Sequence, residues 1–154
     1  MVAQKPSRSL QHDAAELYAA ATAFIRIYQF RDRDQALRFG LTVVQAYTLD
    51  ILLATGGVGL TGLAQALRLD KSTTSRVVSG MTRHDLVEWS RPEHDRRAKE
   101  IVASGEGKRR YERLRRAILA DNTRLLASYT PSERQAAITI LRQLADRAAG
   151  AAQS

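Results

Sequence analysis

The chain has 154 residues, 44% of them hydrophobic, with 24 Lys and Arg against 16 Asp and Glu and a formal charge of +8 at pH 7. That length suits one domain, or one lobe built on a shared dimer interface, and the apolar content excludes wholesale disorder. The lack of cysteine excludes disulfides, thiolate metal sites, iron–sulfur clusters and cysteine redox switches, while the basic surplus favours polyanionic partners.

Residues 1–11 are polar and basic, carry Pro6, and read as a loose or partner-ordered arm. From about His12 to Phe30, Leu17, Ala21, Phe24, Ile25 and Tyr28 recur at helical spacing. The charged run Arg31-Asp32-Arg33-Asp34 predicts a bend or connection before Gly40. A second helix opens at Leu41-Thr42, where Thr42 and Gln45 have the spacing of a capping box. Tyr47, Ile51, Leu52 and Ala54 predict a well-buried helix that ends at the glycines 56, 57 and 59.

A short helix follows, with Thr61 as its cap and Leu63, Ala64 and Leu67 on one side. After the turn Arg68-Leu69-Asp70, a helix from about Lys71 to His84 has Asp70 as N-cap. Thr74, Val77, Val78 and Met81 form its inner face; Ser72, Thr73, Ser75, Arg76 and Ser79 lie on the others. Val87 and Trp89 alternate with Glu88 and Ser90, and residues 99–102 resume a β-prone run, predicting a hairpin with His94, Asp95, Arg96 and Arg97 at its tip. Trp89 is expected in the core beneath this hairpin.

A long helix from Ser104 to Tyr129 carries Tyr111, Leu114, Ile118 and Leu125 on an apolar stripe. Lys108, Arg109, Arg110, Arg113, Arg115 and Arg116 charge its first half, as a phosphate-facing surface or a solvated one. Thr130-Pro131-Ser132-Glu133 combines a cap hydroxyl, a proline at the first helical position and a Glu three residues past the cap. The last helix is expected to bury Ala137, Ile138, Leu141, Leu144 and Ala148.

Helix, short helix, turn, polar helix and basic hairpin, in that order, describe a winged helix-turn-helix in a mainly α (α+β) chain. The chemistry suits double-stranded DNA. Lys71, Ser72, Thr73, Ser75, Arg76 and Ser79 supply short donors and an arginine able to bond guanine bidentately in the major groove. Arg96 or Arg97, oriented by Asp95, suits the narrow minor groove. Any one of these hydroxyls alone reads as a cap; the run together with the basic hairpin favours DNA.

Leu69-Asp70-Lys71-Ser72-Thr73-Thr74-Ser75-Arg76 resembles the start of the recognition helix of the MarR family of bacterial regulators. Asp95-Arg96-Arg97, followed by Ile101-Val102-Ala103-Ser104 and Gly107, is similar to its wing signature. The resemblance runs from about His12 to Ala148. Ser79-Gly80 departs from the family's usual acidic-basic pair, and Ala103 stands where Leu is common. The resemblance implies a homodimer joined through the terminal helices, and their uncovered apolar stripes agree. The expected plan is a single domain, with about 41–103 as the DNA-binding part and about 10–38 and 104–149 as dimerisation helices. Function is then expected to be ligand-responsive repression at a pseudo-palindromic operator, with a sequence-tolerant architectural DNA-binding protein as the alternative.

The resemblance also implies a small phenolic or anionic effector. By family position it points to Phe24, Tyr28, Tyr47 and Ile51, with ordinary core packing as the alternative for each. No enzyme, cofactor or metal is expected. Nucleophile elbows, phosphate-binding glycine loops and supported carboxylate pairs are missing, and His12, His84 and His94 lack ligand spacing. The apolar runs are too short to span a bilayer and no signal-peptide pattern is present, so a cytoplasmic protein with no membrane partner is expected.

Overall fold

A computed structural model describes residues 8–91 and 99–151. The chain forms two compact units, residues 1–115 and 116–154. In order come α1 (Arg8–Arg38), α2 (Val43–Thr55), α3 (Leu60–Leu67), α4 (Lys71–Arg83), β1 (Val87–Ser90), β2 (Glu100–Ala103), α5 (Gly105–Leu126) and α6 (Pro131–Ala151). The strands pair antiparallel, Val87 opposite Ala103 and Ser90 opposite Glu100, and Val58 adds a single bridge to Ile101. This is the winged helix fold that the element order implied.

The expected bend at residues 31–34 is corrected: α1 runs unbroken to Arg38. Its charges do not interrupt the helix: Arg31 and Asp32 are half-buried, and exposed Arg33 pairs with exposed Asp34 at 3.1 Å. Residues 31–38 contain neither Gly nor Pro, and buried Gln35 and Ala36 anchor the last turns. Residues 8–11, read as part of a loose arm, belong to this helix, and residues 1–7 lie outside the described residues.

The capping box of α2 forms as expected: the Gln45 N–H donates to Thr42 Oγ1 at 3.3 Å and the Thr42 N–H to Gln45 Oε1 at 2.8 Å. Gly56 ends the helix at φ 78°, a left-handed conformation that costs glycine little. Burial of α2 is narrower than expected. Thr48, Leu49 and Leu52 are buried, whereas Tyr47 is 55% exposed.

The cap of α3 is also corrected. Gly59 takes the N-cap place and Thr61 falls inside the first turn. The two hydrogen bonds between Val58 and Ile101, at 2.9 and 3.1 Å, hold the chain extended up to that point and start the helix earlier.

The core of the first unit unites Leu41, Leu49, Leu52, Leu63, Val78, Met81, Leu86, Val87, Ile101 and Leu114, all fully buried. Trp89 is not part of it, contrary to expectation. It shares a face with buried Val87 and Ile101 but lies farther along the hairpin, beyond the core's edge, and is 48% exposed.

In the second unit, Thr130 and Glu133 cap α6 reciprocally. The Thr130 N–H donates to Glu133 Oε2 at 2.8 Å, and the Glu133 N–H to Thr130 Oγ1 at 3.4 Å. That backbone N–H first, and the Thr130 hydroxyl second, hold the Glu133 carboxyl below its usual range. The residues expected to be buried on α6 are exposed in the single chain, Leu141 by 56%. Among the described residues no single helix is long and apolar enough to cross a membrane.

One junction ties α5 to the hairpin. The buried Ser104 hydroxyl accepts the Gly107 N–H at 3.0 Å and donates to the Asp85 carbonyl. A Cβ on Gly107 would stand 2.0 Å from the Leu86 carbonyl oxygen and 2.9 Å from Leu49 Cδ2. Backbone cannot yield as a flexible side chain does, so Gly107→Ala is expected to destabilise the chain by about 3 kcal/mol or more. Urea denaturation of the variant beside the parent chain measures it.

Candidate nucleic-acid interface

The turn into α4 is set by Arg68, which caps α3 in the left-handed region at φ 54°. Its N–H bonds to the Gln65 carbonyl at 3.1 Å and the Leu69 N–H to the Ala64 carbonyl at 3.0 Å, so the chain reverses within three residues. Asp70 then caps α4 through the Thr73 N–H at 2.8 Å.

The inner face of α4 consists of Thr74, Val78 and Met81. Burying the Thr74 hydroxyl is tolerated because it donates to the Asp70 carbonyl at 2.9 Å. With that face fixed, Ser72, Ser75, Arg76 and Ser79 fall on the opposite side at helical steps, all exposed; Lys71 is exposed beside them and Thr73 is half-buried. The structure thus gathers on one accessible surface the short polar side chains singled out from the sequence.

They are not independent of one another. Asp70 receives the Ser72 hydroxyl on Oδ1 and the Thr73 hydroxyl on Oδ2, each at 2.6 Å. The Ser72 bond first, and the Thr73 bonds after it, hold the Asp70 carboxyl well below the usual carboxylate range. Arg76 reaches back to Ser72, its Nε 3.4 Å from the carbonyl and its Nη2 3.3 Å from the hydroxyl. The sequence marked Asp70 only as a cap; that it also gathers side-chain hydroxyls follows from their two- and three-residue spacing once α4 is formed.

β1 and β2 carry the hairpin outward as far as Ser90 and Glu100. Asp95, Arg96 and Arg97, expected at its tip, lie outside the described residues.

Of the residues assigned to an effector, Phe24 and Tyr28 stack with ring centroids 4.0 Å apart, and the Arg31 guanidinium sits 4.1 Å from the Tyr28 centroid. Tyr47 and half-buried Ile51 lie one turn apart on α2. A separate open cleft of about 400 Å³ is lined by Asp50, Leu53, Ala54, Lys108, Tyr111, Glu112 and Arg115. In it the Tyr111 hydroxyl donates to the Asp50 carboxylate. These partners are 61 residues apart, so no local pattern announces them; the sequence placed Tyr111 only on the apolar stripe of its helix. Among the described residues no three His, Asp or Glu side chains assemble as a metal site.

A family model described as the MarR family matches residues 39–98, from the end of α1 into the hairpin. A MarR family protein from Bacillus stearothermophilus is 25% identical, with a TM-score of 0.83 over 90% of this chain and 97% of its own. The chain is thus similar to the MarR family over residues 39–98 and shares the fold of that family's solved members. A MarR family transcriptional regulator from Silicibacter pomeroyi is likewise 25% identical, with a TM-score of 0.64 over 81% of this chain and 84% of that one. AbsC, a MarR family transcriptional regulator from Streptomyces coelicolor, shares the fold at 19% identity, with a TM-score of 0.72 over 96% of this chain and 99% of its own. No curated protein matches. This similarity supports a DNA-binding transcription regulator, and α4 stands in the fold as the second helix of the helix-turn-helix.

Burial first and the Asp50 bond second push the Tyr111 phenol well above its ordinary 10.0. A raised folded value means the stabilisation is whole below the unfolded value and fades as pH climbs through the folded one. The stability advantage over Tyr111→Phe is therefore expected to shrink as pH rises beyond 10.0. Denaturant titrations of both chains from neutral to strongly alkaline pH measure it, and a constant difference contradicts the assignment.

Proposed function

We propose that the chain represses transcription by binding a pseudo-palindromic operator as a homodimer, and that a small phenolic or anionic effector releases it. The single observation carrying this reading is the exposed stripe Ser72, Ser75, Arg76 and Ser79 on a helix whose other face is locked into the core. Lys71 and Thr73 extend the contact, and Asp95, Arg96 and Arg97 supply the wing's share in the minor groove.

Residues of about 41–103 serve DNA binding, and about 10–38 and 104–149 serve dimerisation. Large apolar side chains exposed on α1 (Leu17, Phe24, Ile25) and on α6 (Ile140, Leu141) support an assembly that covers them. Two-fold symmetry then repeats the recognition helix about 34–36 Å away, one turn of duplex.

Phe24, Tyr28, Tyr47 and Ile51 are the residues assigned to the effector, since aromatic and aliphatic surface suits a phenolic ring. Lys108 and Arg115, which line the cleft by Tyr111, supply cationic charge for an anionic one. An effector changes affinity for DNA only through unequal affinity for the free and DNA-bound conformations.

Selection from random duplex DNA, with and without phenolic carboxylates, tests the whole reading. A specific-to-random affinity ratio of about 10³ or more supports a regulator, and a ratio near one supports an architectural protein instead. Arg76→Ala is expected to cost about 1–3 kcal/mol and to relax preference at one operator position; a uniform loss across sequences reassigns it to phosphate. Arg96→Ala and Arg97→Ala are each expected to weaken operator binding while leaving the dimer intact by light scattering. Unchanged affinity in both removes the wing contact.

A further inference from the structure

Ser72 and Thr73 have their hydroxyl protons committed before any DNA arrives. The first goes to Asp70 Oδ1 and the second to Asp70 Oδ2, each at 2.6 Å, with the Thr73 N–H on Oδ1 at 2.8 Å. A hydroxyl has one proton and two lone pairs. With the proton turned to Asp70, the Thr73 oxygen offers its lone pairs to any further partner, and the Ser72 oxygen offers the one that Arg76 leaves. Arg76 holds Ser72 from the next turn, its Nη2 3.3 Å from the same hydroxyl.

The partners of an acceptor in the major groove are few. Cytosine N4 and adenine N6 carry amino protons, whereas guanine O6 and N7 and thymine O4 are acceptors themselves. Phosphate oxygens are acceptors too, and a fixed carboxylate repels them. The three bonds into Asp70 keep it ionised through the neutral range.

We propose that Asp70 is a specificity-setting positioning residue, which turns Ser72 and Thr73 into acceptor-only groups that select an amino-bearing base and whose charge penalises binding to phosphate alone. The proposal rests on sequence-selective binding through α4. Asp70 touches no base itself; it acts through the two hydroxyls.

The test begins with an operator selected by the unaltered chain from random duplex DNA. Asp70→Asn keeps an oxygen to cap Thr73, but its amide donates, so one hydroxyl must turn its proton outward. Random-duplex affinity is expected to rise several-fold and the operator-to-random ratio to fall about tenfold. Preference for adenine or cytosine at one position in each half-site shifts towards guanine or thymine. Ser72→Ala combined with Thr73→Val leaves Asp70 in place and is expected to erase the same base preference.

Circular dichroism establishes that each variant keeps its helices. A folded Asp70→Asn chain with an unchanged ratio and unchanged base preference overturns the proposal. If that variant does not fold, the double variant decides alone, and an intact base preference there overturns it. An unaltered chain that selects no sequence removes the operator reading as well, whereas a selective parent with indifferent variants removes only the role of Asp70.

Discussion

The first unit depends on how closely α5 lies against the turn before β1. Gly107 has no side chain because the Leu86 carbonyl occupies that space, with Leu49 of α2 on another side. Ser104 fastens the contact in both directions, accepting from Gly107 and donating to Asp85, which itself holds a left-handed backbone at φ 54°. Three elements meet within one backbone's width. The hairpin can leave the core in a defined direction only because this corner has a single arrangement.

The same logic of a fixed inside and a free outside governs α4. Thr74, Val78 and Met81 decide its rotation, and that rotation alone turns Ser72, Ser75, Arg76 and Ser79 outward. Thr74 contributes twice, since its methyl packs in the core while its hydroxyl is returned to the Asp70 carbonyl. A polar side chain thus sits on the buried face without an unpaired group.

Much of this was legible from local chemistry. Thr42 with Gln45, Asp70 with Thr73, and Thr130 with Glu133 act within one helical turn, so spacing alone locates three helix starts. Alternation located the hairpin, and the buried face of α4 followed its periodicity. What escaped was non-local. Charge at residues 31–34 resembled a break because the anchoring of Gln35 and Ala36 leaves no mark nearby. The Val58 bridge, formed across 43 residues to Ile101, moved the start of α3 away from Thr61. Asp50 and Tyr111 meet only because α2 and α5 carry them together. Along α4 the residue types were readable, whereas the hydrogen bonds from the Ser72 and Thr73 hydroxyls to Asp70 needed the helix in place.

Trp89 is the sole tryptophan of the chain and stands half out of the protein at the end of a strand that leads to the wing. Its indole already lies partly in water, so a change of neighbour there alters its fluorescence emission. The molecule thus carries one optical reporter on its hairpin, and the unlabelled chain can be followed there by its own light.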